Sequence, residues 1–300
     1  MNRSSGITLV EVMVAMLLVL IVSAGALAFV ARGRDAHRAG ESLARLEETL
    51  DAAFTHLVDE VLVSGYLGLA PPGTRVAGST PVGTAELAGL EVAGACGPSL
   101  AHDIGHAITA ADGAYLAAPG IPIGCRASPG GRLQAGADTL IIRRASGESV
   151  APEAGRLQLE TNLRAAALHA DGASQLGPAT RWHDLEVGVY YVSADSTGRA
   201  GFPSLRRKRL VGGTRPAFQD EELVSGISDL QLELGLDDPG DPDLSVDRWA
   251  APAAAPDEGM ARALRIELEA RSDVVEASQP GGRRKRVSRV IELRNGGQGS

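Results

Sequence analysis

Twenty consecutive residues, Val12–Ala31, carry no charged side chain, and the run is closed on either side by Glu11 and Arg32. At a helical rise of about 1.5 Å per residue, such a run spans the roughly 30 Å hydrocarbon core of a bilayer. A secretory signal peptide has a shorter apolar stretch followed by a small-x-small cleavage site. Ala24–Ala28 offers such a site, but the run continues past it and passes without a break into an amphipathic pattern. The expectation is therefore a retained, membrane-spanning helix. The other 280 or so residues read as an ordinary Gly- and Ala-rich chain, with enough apolar content for one sizeable core or two. The net charge of −8 argues against general nucleic-acid binding, which needs a basic surface. Only Lys208 and Lys285 among the 29 basic residues are lysines, a bias read as base composition rather than function.

The residues before the run are more specific. A short polar leader, Met1-Asn-Arg-Ser-Ser-Gly6, is followed at once by Ile7-Thr-Leu-Val-Glu11. A lone carboxylate costs about 2.5 to 3.5 kcal/mol at the centre of a membrane helix and less near its end, so Glu11 calls for a partner. If the chain were cut after Gly6, the new α-amine on Ile7 would supply one, either within the chain or from a neighbouring copy. The stretch Gly6-Ile-Thr-Leu-Val-Glu11 with its apolar sequel resembles the class III leader and methylation motif of type IV pilins and type II secretion pseudopilins. The resemblance implies that a prepilin peptidase cuts after Gly6 and methylates Ile7, and that Glu11 guides assembly. Ile7 stands where that family usually has Phe.

Beyond the run, Leu43, Leu46, Leu50, Phe54, Leu57 and Val61 recur at three- and four-residue steps among Arg45, Glu47, Glu48, Asp51, Asp59 and Glu60. This is one apolar stripe on a helix. The helix is expected to run from about Thr8 to Val63 and to stop at Ser64-Gly65, with weak points at Gly25, Gly33 and Gly40. Farther on, 140–144 reads as a short strand, and period-two alternation marks strands at 185–191, 230–236, 264–268 and 291–293. The expected class is α+β, a long N-terminal helix packed on an antiparallel, β-rich domain. The expected divisions are a leader (1–6), a membrane or fibre-core helix (7–31) and the helix's amphipathic second half (32–66). A loop-rich region (67–137), a β-rich domain (138–295) and a short tail (296–300) follow.

Asp138-Thr-Leu-Ile-Ile-Arg-Arg144, Tyr190-Tyr-Val192, Glu222-Leu-Val-Ser-Gly-Ile-Ser-Asp-Leu-Gln-Leu232, Val290-Ile-Glu-Leu-Arg-Asn295 and Leu62-Val-Ser-Gly-Tyr-Leu-Gly68 resemble the PilW-like minor pilins. That resemblance implies a low-copy subunit for pilus biogenesis, at the fibre tip or in its priming complex, and no enzyme. Its partners would be major and minor pilins, prepilin peptidase and inner-membrane lipid before assembly. It would be anchored by one span in the bacterial inner membrane with its domain in the periplasm, and then move into the pilus. The J-type minor pseudopilin of type II secretion shares this architecture and is the alternative; a tip adhesin is a further one.

Other candidate chemistry has simpler readings. Cys96 and Cys125 form no zinc-type spacing; in an exported domain they would make one disulfide, with two unpaired thiols as the alternative. His102 and His106 stand four apart but around Gly105, in loop-like sequence, so no metal or other cofactor is expected. The acidic stretch 237–247 lacks the pattern of a calcium loop and reads as a solvated turn. The basic runs Arg206–Arg209 and Arg283–Arg286 read as exposed strand faces and edge protection, not as a nucleic-acid site. Trp182 and Trp249 read as core or interface anchors. No catalytic motif and no small-molecule substrate site emerges.

Overall fold

The computed structural model describes residues 8–93, 96–97, 99–238, 245–252, 261–273 and 282–295, apart from the side chains of Ala31, Asp35 and Ala36. The leader, Gly6 and Ile7 lie outside the described residues, as do 239–244 of the acidic stretch and the tail 296–300. The elements are one helix, α1 (Leu9–Leu62), and fourteen strands. These are β1 (Val76–Ala77), β2 (Ile108–Ala111), β3 (Leu116–Ala118), β4 (Ile121–Pro122), β5 (Thr139–Ala145), β6 (Gln158–Thr161) and β7 (Ala166–His169). They continue with β8 (Arg181–Ser193), β9 (Ser204–Val211), β10 (Ala217–Ser225), β11 (Ile227–Leu236), β12 (Arg248–Ala250), β13 (Ala261–Arg271) and β14 (Arg284–Glu292). The class is α+β, as the sequence led one to expect.

By contacts the chain divides after Arg45. In the first unit, α1 is exposed along its apolar run, from Leu9 to Val30. It continues straight through Gly25, Gly33 and Gly40, where a Cβ would meet nothing.

The second unit begins at Leu46, and the buried stripe begins with it. Leu46, Leu50, Phe54, Leu57 and Val61 are at most 3% exposed, whereas Leu43 is 45% exposed. They join one core with Leu230, Leu232, Leu234, Leu264, Ile266 and Leu268 from a four-stranded sheet of order β12-β11-β13-β14. The same core takes Leu140, Ile142, Tyr190 and Val192 from a larger sheet, in which β8 pairs with β6, β5 and β9. The helix ends where Ser64 donates back to the Val61 carbonyl and Gly65 turns to φ +71°. Gly65 N–H then donates to the Arg143 carbonyl at 3.0 Å, fixing the helix end to β5.

Because side chains alternate across a strand, the other face of the larger sheet holds a second core. Ile141, Val187, Val189, Leu159 and Leu210 meet Leu90, Leu100, Ile104, Ala117 and Ile123 there. The segment 67–137 thus covers this face, held by the Cys96–Cys125 disulfide and by its own short strands. One of them, β2, pairs with β5 at the end of the larger sheet. Arg143 points into this layer, fully buried, and its guanidinium donates to the carbonyls of Leu100 and His106 and to Thr109 Oγ1.

Asp138 joins the two sheets. Its N–H donates to the Leu230 carbonyl at 2.8 Å, and its carboxylate accepts from Leu232 N–H and Gly113 N–H, each at 2.7 Å. Burial pushes this carboxyl up to about 6, against the pull of both amides. Because the folded pKa lies above the unfolded one, the native state holds this extra proton between pH 4 and 6, and the contribution of Asp138 to stability falls as pH rises through that window. We expect a loss on the order of 2 to 3 kcal/mol across it, read from denaturant midpoints of the detergent-solubilised chain. Asp138→Asn should flatten the slope, and an unchanged slope would contradict the assignment.

Candidate functional site

The start of α1 is built by two side chains. Thr8 N–H donates to Glu11 Oε2 at 2.9 Å, Thr8 Oγ1–H donates to the same oxygen at 3.0 Å, and Glu11 N–H donates to Thr8 Oγ1 at 3.3 Å. This is a reciprocal capping box, in which Thr8 is the N-cap and Glu11 the third helical residue. It satisfies amides that a helix start leaves without intrahelical partners, and a carboxylate at that end also suits the helix dipole. Glu11 is therefore held within its own first turn, one residue before the uncharged run starts. Sequence reasoning singled out Glu11 for its charge and missed Thr8, although the Thr-x-x-Glu pattern before an apolar run was in plain view.

The remaining candidates are placed as follows. His102 is buried and its Nε2 lies 2.9 Å from the Leu90 carbonyl, while His106 Nδ1 lies 2.9 Å from Asp103 Oδ1. The two rings thus have separate partners. Of the acidic stretch, Asp237 pairs with Arg262, and Asp238 with Arg248. Trp182 is buried beside His169, and the Arg265 guanidinium lies 4.0 Å over the Trp249 ring. The first basic run corrects an expectation. Arg206 and Lys208 do not lie on an exposed face: both are about 5% exposed and pair with Asp220 of β10, beneath Tyr191. A charged residue buried by its strand partner looks the same in sequence as a solvated one.

A cleft of about 330 Å³ lies beside the end of α1, where Glu60 meets Arg144, Arg207 and Glu221. Its charges are engaged with one another. Arg144 pairs with Glu60 and Glu186, Arg207 with Glu60 and Glu221, and Arg156 with Asp184. The cleft therefore closes a network rather than presenting a charge to a ligand.

A helix that is capped at its start, long and apolar enough by length and composition to cross a membrane, and followed by a β-rich domain is consistent with a pilin-like α+β fold. Comparison with known families agrees. Residues 1–27 match the prokaryotic N-terminal methylation motif, and residues 189–288, from β8 into β14, match the family described as Type IV Pilus-assembly protein W. These two matches bear out the resemblance to PilW-like type IV minor pilins, and they are to a pilus-assembly family and a prepilin motif rather than to enzymes. No curated protein and no solved structure matches the chain.

Replacing an N-cap Thr by a residue without a hydroxyl costs about 0.5 to 2 kcal/mol. Thr8→Val in detergent micelles should therefore speed hydrogen exchange of the first-turn amides by about two- to thirty-fold, with Thr8→Ser near wild type. Equal exchange in all three would show that the capping box does not hold the helix start.

Proposed function

We propose that this chain is a minor pilin for type IV pilus assembly, cut by prepilin peptidase after Gly6, methylated on Ile7 and incorporated through α1. Its domain stands in the periplasm on a single span, and its neighbours after assembly are other pilins at the tip or in the priming complex. The observation that carries this reading is Glu11, a carboxylate in the first turn of a helix with twenty uncharged residues behind it, inside a match to the methylation motif. The match to pilus-assembly protein W supports the pilus over a secretion system.

The capping box gives the mechanism its starting state. In the lone chain, Thr8 holds the Glu11 carboxylate, so the acid has a partner while the helix waits in lipid. After cleavage, a positive amine at Ile7 of an adjoining subunit is a stronger partner for the carboxylate than a neutral amide, because it adds the attraction of a full opposite charge to the hydrogen bond. Exchange of one partner for the other would register neighbouring helices. Glu11→Ala should then insert and be cut like wild type while its recovery in sheared pili or in the isolated tip complex falls at least tenfold. Wild-type recovery of that variant would remove the basis for the pairing.

A further inference from the structure

Among the described residues, strand β14 is the end of its sheet and pairs with β13 alone along all nine residues, from Arg284↔Arg271 to Glu292↔Ala263, with no bulge. Natural sheet edges are guarded by being short, by Pro, by bulges or by charges that jut over them. The other sheet ends follow this rule. β1, β2 and β12 have two, four and three residues, and β10 carries a register shift and a bridge from Ala93. β14 is long and regular, without Pro or Gly.

It does carry cations, but these are drawn inward. Arg284 binds Glu269 at 3.0 Å, Arg286 binds Glu267 at 3.1 Å and Glu269 at 3.2 Å, Lys285 binds Glu47, and Arg289 binds Asp51 at 2.6 Å. These acids belong to β13 and to α1, on the inner side of the strand. Among the described residues no strand pairs with the outer backbone edge of β14, which has a basic margin on a protein whose net charge is −8.

The ladder shows which groups face outward. Leu293 N–H donates to the Arg262 carbonyl, and Ser272 N–H donates to the Arg283 carbonyl. Antiparallel pairs alternate, so the odd-numbered residues of β14 bond to β13. The even-numbered ones, Arg284, Arg286, Ser288, Val290 and Glu292, turn their N–H and C=O to the open side. Val290 is 55% exposed there.

Charge narrows the occupant. β14 itself carries four cations, Arg284, Lys285, Arg286 and Arg289, against one acid, Glu292, so a second copy of β14 is not the acidic strand that this margin favours.

The geometry points to the open edge of β14 as a docking surface for an extended acidic strand of a neighbouring pilin. It would add antiparallel to β14, with carboxylates near Arg284 and Arg286 and an apolar side chain beside Val290. Only the identity of the partner rests on the pilin reading. The edge itself can be tested with a labelled nine-residue peptide of alternating Glu and Val, and its Lys/Val counterpart, titrated against the full-length chain in detergent at pH 7. We expect saturable binding of the acidic peptide and at least tenfold weaker binding of the basic one. Ser288→Pro removes an outward amide and spares the β13 ladder, so it should weaken acidic-peptide binding at least tenfold, with Ser288→Ala unchanged. If Ser288→Pro fails to fold, the double variant Arg284→Glu/Arg286→Glu carries the test, and its preference should reverse toward the basic peptide. No binding at millimolar peptide, equal binding of both peptides, or a preference the variants leave unmoved would overturn the docking edge. Disulfide-linked homodimers of Val290→Cys would overturn it in favour of self-pairing. A chain that is cut and methylated at Ile7 yet binds no peptide would sink the edge and leave the pilin reading intact.

Discussion

The second half of α1 holds the domain together, because its apolar stripe is the only helical surface that both sheets share among the described residues. Leu50, Phe54, Leu57 and Val61 are buried against β11 and β13 on the one side and β5 and β8 on the other. Burying a Leu or Phe side chain contributes about 1.5 to 3 kcal/mol, so these few positions outweigh any surface ion pair around them. The same helix carries the uncharged run at its other end. One element therefore carries two kinds of apolar surface, an exposed uncharged run at residues 12–30 and a stripe buried in the protein core at residues 46–61.

Charge organises what the stripe does not. Arg143 is fully buried and donates to the carbonyls of Leu100 and His106, which ties the covering segment 67–137 to the centre of the larger sheet. Arg144 and Arg207 converge on Glu60 near the helix end and fix where α1 stops against β5 and β9. An Arg fork suits such sites, since its planar donors reach several acceptors at once. Asp138 does the corresponding work with backbone amides, linking β5 to β11. The disulfide then closes the outer layer, in which the strands are too short to hold it alone.

Much of this was legible in advance, and what was not has physical reasons. The helix and its stop at Gly65 follow from period and turn chemistry, and strands β11 and β13 from their alternation of one buried and one wetter face; β5 and most of β8 are buried on both faces, and showed as a short apolar run and as apolar alternation in sequence. β6 and β7 are buried on both faces, as is the four-residue β2, so no alternation betrays them. The β9–β10 hairpin was hidden because its charges neutralise each other across the strands, Arg206 with Asp220 and Arg207 with Glu221. At the candidate site, Glu11 stood out because a carboxylate beside twenty apolar residues is costly. Its partner Thr8 did not, since a hydroxyl there is unremarkable until the capping geometry is seen. Gly6 and Ile7 remain readings of the sequence motif.

The central claim is that this N-terminus is a prepilin leader. The direct measurement is the intact mass and N-terminal residue of the chain co-expressed with a prepilin peptidase. The account predicts a product that begins at N-methylated Ile7, with residues 1–6 removed. A chain that keeps Met1, or one cut near residue 28, would contradict it and leave a membrane-anchored or secreted β-rich domain without an assembly role.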